Sequence, residues 1–265
     1  MSRVLRAVEG VGDEVLYYVE HVGRMVVFLF ATLASALRPP YDGYQLLKQL
    51  HFVGARSMLV IVVSGLFTGM VLALQFHDTL ARFGTLDLLG SAVAIALLRE
   101  LGPVMAALMV IARAGSAMTA EIGIMRTSEQ IDAIECMAIN PLQYLIAPKV
   151  IAAVISLPLL TSVFDLLGVV GGWIVAVGLF GMADGTYFQS MAEGAQWQDI
   201  RMGLIKSVVF GLLIGWIATA KGYYLHLDRS GTFGAEGVSR VTTNAVVLSA
   251  IAVLFADYLV GAIML

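Results

Sequence analysis

The chain is poor in charge and has almost no cysteine. Only 13% of its 265 residues are charged, against roughly 25% in an ordinary soluble domain. The single cysteine, Cys136, excludes an internal disulfide and a CxxC metal site. The net charge is −3 and no basic run marks a nucleic-acid surface. There is no Gly-x-x-x-x-Gly-Lys-Ser/Thr loop, so ATP is not bound by that device, and no HExxH or GxSxG. His21, His51, His77 and His226 are scattered, which argues against a metal site or a catalytic centre. What is abundant is apolar surface: 59% of residues are hydrophobic, and the mean hydropathy is +0.88. A soluble fold of this size could not hide it, and a disordered chain would have the opposite composition. The remaining class is an all-α polytopic membrane protein.

A helix needs about 20 largely apolar residues to cross the hydrocarbon core. Gaps between charges give five spans, at about 57–77, 88–112, 150–183, 202–220 and 241–264, which make up a transmembrane region 57–265. Residues 1–56 differ. Val4, Ala7, Val11, Val15, Tyr18 and Val22 recur at helical spacing between charges, and 25–37 is apolar but short. This pattern predicts an amphipathic interfacial helix running into a shallow or re-entrant segment. Lys and Arg number 6, 1, 3, 1, 3 and 0 in the successive segments outside the five spans. That alternation places the N-terminus in the cytoplasm and the C-terminus outside. The run 150–183 is long for one crossing, but a single tilted helix bent at Pro158 or near Gly168, Gly171 and Gly172 keeps the alternation intact. Gly65-x-x-x-Gly69 and Gly211-x-x-x-Gly215 suit close helix approach, within one chain or between subunits.

Five ionisable residues fall inside the spans: Arg99, Glu100, Asp165, Lys206 and Asp257. Each is costly in lipid and points to a polar cavity or a buried partner. Counting from Leu88 puts Arg99 about 17 Å deep, near the midplane. Lys206, Asp165 and Asp257 all fall in the outer half, so Lys206 could pair with either aspartate, and such a pair could serve only to fix helix register. Arg99 beside Glu100, just before Gly102-Pro103, suggests a cavity for a polar head group. Leu72, Leu74 and Phe76, with Gln75 as a polar neighbour, are candidate walls. A proton relay through the carboxylates would instead make an ion-coupled secondary transporter. A scaffold that uses the charges only for packing is a further reading.

The polar segment 113–149 carries one more signal. Thr127 with Gln130 matches a capping box, so a helix is expected from about Ser128. Ile131 and Ile134, extended by Met137 and Ala138, form one face. Glu129, Asp132 and Glu135 line another, and Asn140-Pro141 should end the helix. It reads as a docking element for a cytoplasmic partner or as a solvated acidic loop helix.

Several motifs together resemble the MlaE family of permeases. They are Arg99-Glu-Leu-Gly-Pro103, Ala112-Arg-Ala-Gly-Ser116, Ala120-Glu-Ile-Gly-Ile-Met125, Glu129-Gln-Ile-Asp-Ala133, Asn140-Pro141, Ser156-Leu-Pro-Leu-Leu160, Lys206-Ser-Val-Val-Phe-Gly211 and Gly234-Ala-Glu-Gly-Val238. The resemblance covers about residues 45 to 262. Ala138 and Ser239 depart from it, standing where many members have glycine. The resemblance implies a non-catalytic permease subunit of an ATP-binding-cassette lipid transporter in the bacterial inner membrane. It implies a homodimer, with each copy holding an ATPase through the helix at about 127–138, so that ATP and Mg are bound by that partner. A STAS-domain protein on the ATPase and a periplasmic MCE-domain protein are also implied. The implied substrate is glycerophospholipid, moved between the inner membrane and the route to the outer membrane, where it maintains lipid asymmetry. Arg99 and Glu100 match charged residues of the family's lipid cavity.

Overall fold

A computed structural model describes residues 2–37, 43–227 and 234–264, and side chains 1–15, 17 and 18 are outside that description. The chain order is α1 (Ser2–Ala36), α2 (Gly43–Val53), α3 (Met58–Phe83), α4 (Leu89–Ala96), α5 (Gly102–Val110), α6 (Ser116–Thr127), α7 (Gln130–Cys136), α8 (Ala147–Gly178), α9 (Asp184–Gly194), α10 (Trp197–Tyr223) and α11 (Ala235–Met264). Three π-helical turns join neighbours: Leu97–Leu101, Ile111–Gly115 and Leu142–Ile146. The described residues contain no strand.

Among the described residues, six helices are long and apolar enough to cross a membrane: Val19–Ala36, Gly43–Phe83, Leu86–Thr127, Leu142–Gly178, Trp197–Tyr223 and Ala235–Met264. The five spans expected from charge gaps fall in the last five. The sixth lies in α1, where the expected interfacial helix and the apolar segment it runs into form one continuous helix. That stretch includes Glu20 and Arg24, which pair one turn apart at 3.4 Å. The repeat Val4, Ala7, Val11, Val15 and Tyr18 lies outside the described side chains. The long run beyond Val150 is a single helix that contains Pro158 and stops at Gly178, before a turn at Gly181 (φ 68°).

α8 is the hub, with α2, α3, α5 and α10 packed on it. Leu157, Leu160 and Phe164 bury their side chains with Ile61, Leu89, Val93 and Leu97. Lipid tails are as apolar as leucine, so close packing rather than water exclusion must hold such helices together. Small residues supply it. A Cβ on Gly65 would stand 2.8 Å from the Phe164 carbonyl oxygen, and one on Gly69 would overlap the Gly168 carbonyl. Gly211 faces Ala153 and Gly215 faces Val150 in the same manner. Both small-residue pairs therefore serve packing within the chain. Gly69→Ala should force α3 off α8, costing about 1–3 kcal/mol. A thermal melt of the purified protein checks this, and an unshifted midpoint would contradict the close approach.

The segment 184–201, expected as a loop, holds α9. Its Tyr187 is fully buried, and the helix lies against the first turn of α4, where Gly90 and Ser91 meet Tyr187 and Gly194. α10 then starts beside the Leu97–Leu101 turn that follows α4, where Asp199 meets Arg99 and Gly203 faces the Leu98 carbonyl.

Candidate functional site: a charged cluster at a helix break

The sequence Leu97-Leu-Arg-Glu-Leu-Gly-Pro103 dictates the break. Pro103 has no N–H to give the Arg99 carbonyl four residues back, and Gly102 N–H reaches the Leu97 carbonyl, five residues back. The result is a π turn, a feature that often marks functional positions. The freed Arg99 carbonyl accepts a hydrogen bond from the Lys206 ammonium at 3.0 Å.

The side chains around the turn are paired. Arg99 Nε donates to Asp199 Oδ1 at 2.5 Å. Asp199 Oδ2 accepts the N–H of Gln196, closing a capping box at the start of α10. Lys206, fully buried, donates to Glu100 Oε2 at 2.7 Å. Its Nζ also lies 2.8 Å from Asp257 Oδ1, an ion pair by distance, though off the line of a hydrogen bond. Of the two aspartates considered for Lys206, the structure places Asp257 beside it. Asp165 has no ion pair and stands on the other side of the π turn, against Gly102.

Two features were missed from sequence. One is Asp199, which falls outside the five expected spans. Its signal was the capping box Gln196-x-x-Asp199. The other is the Glu100–Lys206 pair. Adjacent helical residues point about 100° apart, so Arg99 and Glu100 each go to a different partner. The candidate walls do not share one surface. Leu72 is buried in the core and Phe76 packs on it, whereas Leu74 and Gln75 are exposed on the outside of α3.

A second buried set lies at the opposite end of the helices. Lys149, fully buried, donates to Glu121 Oε2 at 2.7 Å and approaches Gln49 Oε1 at 3.4 Å. Arg113, in the second π turn, donates to the Phe52 carbonyl at 2.6 Å. Counting Lys149 and Arg113 only as loop charges overlooked these roles.

The segment 127–140 differs from expectation in detail. Thr127 and Ser128 hydroxyls both donate back to the Ile124 carbonyl, so the capping box is absent. The helix begins at Gln130, after Glu129 turns through the left-handed region at φ 57°. Ala138 leaves it in the same region at φ 60°. Side chains other than glycine rarely adopt it, because Cβ crowds the carbonyl. α7 is thus a short finger with a sharp turn at each end. Ile131 is buried, but Met137 and Ala138 are exposed and do not extend its face. Asp132 pairs with Arg126 at 2.7 Å, and Glu135 Oε1 accepts from Tyr223 at 3.2 Å. Those two acids therefore hold the finger against α6 and α10. Arg126 also donates to His226 Nδ1 at 3.0 Å. Burial and then the Arg126 charge hold that imidazole below its ordinary pKa, which keeps the accepting form. Glu129, Gln130, Ala133 and Met137 are left facing outward. Asn140 does not end α7. Its Oδ1 accepts the Leu142 N–H at 3.0 Å, and Pro141 opens the next helix.

A helical membrane protein with ion-paired groups gathered at a broken span, and a finger helix outside the spans, has the form of a transporter's membrane subunit. The sequence matches the family described as Permease MlaE over residues 46–263. The chain belongs to that family. It is 40% identical over 262 residues, 98% of each chain, to the "Intermembrane phospholipid transport system permease protein MlaE" of Haemophilus influenzae. It is 38% identical over 257 residues, 97% of each chain, to a "Probable ABC transporter permease protein" of Rickettsia bellii.

Proposed function

We propose that the chain is the non-catalytic membrane subunit of an ATP-driven transporter that moves glycerophospholipid between the bacterial inner membrane and the periplasmic route to the outer membrane. Membership of the permease family, over nearly the whole chain, is the observation that carries this reading. In it the chain forms a homodimer. ATP and Mg sit on an ATPase partner, a STAS-domain protein joins that ATPase, and an MCE-domain protein meets the external face. The N-terminus is cytoplasmic and the C-terminus periplasmic, so the transporter works from the inner membrane to maintain outer-membrane lipid asymmetry. Arg99 is the head-group contact, because its planar fork suits phosphate and 38% of its side chain remains exposed. Leu74 and Gln75, exposed on a single copy, are available to a cavity between two copies. An ion-coupled carrier is not favoured, since Lys206 and Asp257 are already paired with each other.

The docking finger supplies the test. Asp132 and Glu135 are engaged within the chain, so the contact surface is Glu129, Gln130, Ala133 and Met137. Ala133→Arg combined with Met137→Glu should abolish co-purification of the ATPase while the permease stays folded. Retention of the ATPase and of lipid transfer by that variant would sink the coupling role of α7.

A further inference from the structure

Among the described residues, Asp165 is the one carboxylate of the outer cluster without a cation. The cluster holds two cations, Arg99 and Lys206, against four carboxylates, Glu100, Asp165, Asp199 and Asp257. Arg99 is taken by Asp199, and Lys206 is shared by Glu100 and Asp257. Asp165 lines a pocket of about 250 Å³ between the π turn, α8 and α10, and its Oδ1 is buried with no hydrogen-bond partner. The residue is 8% exposed. Thr161, one turn earlier and 2% exposed, lines the same pocket, and its hydroxyl also lacks a partner. That is unusual for a helical threonine, which ordinarily bonds back to its own helix. Ser162 beside it does so, donating to the Pro158 carbonyl at 2.9 Å.

The helix break adds a third acceptor. Gly102 N–H goes to Leu97 and Pro103 has no N–H, so neither donor that would reach the Leu98 carbonyl in an α or π turn does so. That carbonyl faces Gly203 of α10, and Leu98 and Gly203 both line the pocket. Leu166, Val169, Ile200 and Leu204 make the remaining walls apolar. Leu166 is 64% exposed and Leu204 is 38% exposed, so the mouth opens on the outer surface of the helices.

We propose that this pocket binds the primary ammonium head of a membrane phospholipid. An ammonium carries three N–H donors and no acceptor, and the pocket lining offers it the Asp165 carboxylate and the Thr161 hydroxyl, which have no donor among the described residues, beside Leu98. The positive charge neutralises a carboxylate that would otherwise be stranded in an apolar setting. Three oxygens are too few to replace the six or more ligands of a hard divalent ion. The aliphatic walls suit the methylene stem behind a head group. The site deepens the phospholipid reading of the chain and rests on it, but it is separate from Arg99, which lies with Asp199.

The test uses the assembled permease–ATPase complex, equilibrated with equal amounts of phosphatidylethanolamine, phosphatidylglycerol and phosphatidylcholine and re-extracted in mild detergent. Retained lipid is then counted by mass spectrometry. The native complex should favour the ethanolamine lipid, and the choline lipid, whose nitrogen has no N–H, should not replace it. Asp165→Asn, which keeps the shape against Gly102, should cut that preference about tenfold, as loss of one charge-assisted hydrogen bond does. Thr161→Val should cut it about threefold. Leu204→Trp, which plugs the mouth and leaves the carboxylate intact, should abolish it. A preference unchanged in all three variants, or full replacement by the choline lipid, overturns the proposal. So does a carbodiimide crosslink from Asp165 to a polypeptide lysine instead of to lipid. Lipid transfer by the native complex to acceptor vesicles is measured separately, and its absence would overturn the transport reading rather than the head-group selectivity.

Discussion

Lys206→Met should nearly eliminate assembled protein, whereas Lys206→Met with Asp257→Asn should recover part of it. The ammonium is fully buried and serves Glu100, Asp257 and the carbonyl left free by Pro103. Removing one partner of a buried pair typically costs about 3–5 kcal/mol, because the other charge is stranded. That is a large share of the about 5–15 kcal/mol that holds an ordinary domain folded. The two carboxylates differ in how far they are stranded. The Glu100 side chain is 49% exposed and can swing outward, while that of Asp257 is 19% exposed and cannot. Neutralising Asp257 should therefore rescue more than Glu100→Gln does. The yield of monodisperse protein in detergent reads the result. Equal failure of both double variants would show that Lys206 is needed for something other than charge balance.

The outline of the fold was legible because lipid imposes a simple rule. A crossing helix must be long and apolar, so gaps between charges located five of the six long apolar helices. The sixth was obscured because Glu20 and Arg24 interrupt it in the sequence, and their pairing one turn apart cannot be seen in a count of charges. The intramembrane ions were legible for the same reason, since each is exceptional there. Of their partners only Asp257 was, as one of the two aspartates considered for Lys206. Depth counted along one helix assumes that every helix starts at the same level. α9, lying against the first turn of α4, breaks that assumption and brings Asp199 rather than an outer-loop group to Arg99. The capping box at Thr127 failed for a local reason: both hydroxyls bond backward to Ile124, ending α6 instead of starting α7. The finger itself was visible through Ile131 and the acids that follow. The left-handed turn at Glu129 carries no sequence signature of its own, while the one at Ala138 falls where the family resemblance expects glycine.

Asp199 and Arg99 separate structure from transport more sharply than any other pair. Asp199 is 2% exposed in its side chain, and its two oxygens serve different masters: the Arg99 guanidinium and the N–H of Gln196, which caps α10. Asp199→Ala should lose the cap, worth about 0.5–2 kcal/mol, and leave Arg99 unpaired. Arg99→Ala should strand the buried Asp199 instead, at about 3–5 kcal/mol. Both single variants are therefore expected to assemble poorly, and poor assembly alone says nothing about lipid. The double variant Arg99→Ala with Asp199→Ala removes both charges and should assemble better than Arg99→Ala. One of the five guanidinium N–H donors of Arg99 is engaged by Asp199, and the rest of the fork is free to meet phosphate oxygens. If that contact carries transport, the assembled double variant should still move lipid at least tenfold more slowly than the native complex, the loss expected of a charge-assisted hydrogen bond. Arg99→Lys, which retains the charge for Asp199 but not the planar fork, should assemble and be slow as well. A double variant that assembles and transports at the native rate would confine Arg99 to its role in pinning α10 against the broken helix.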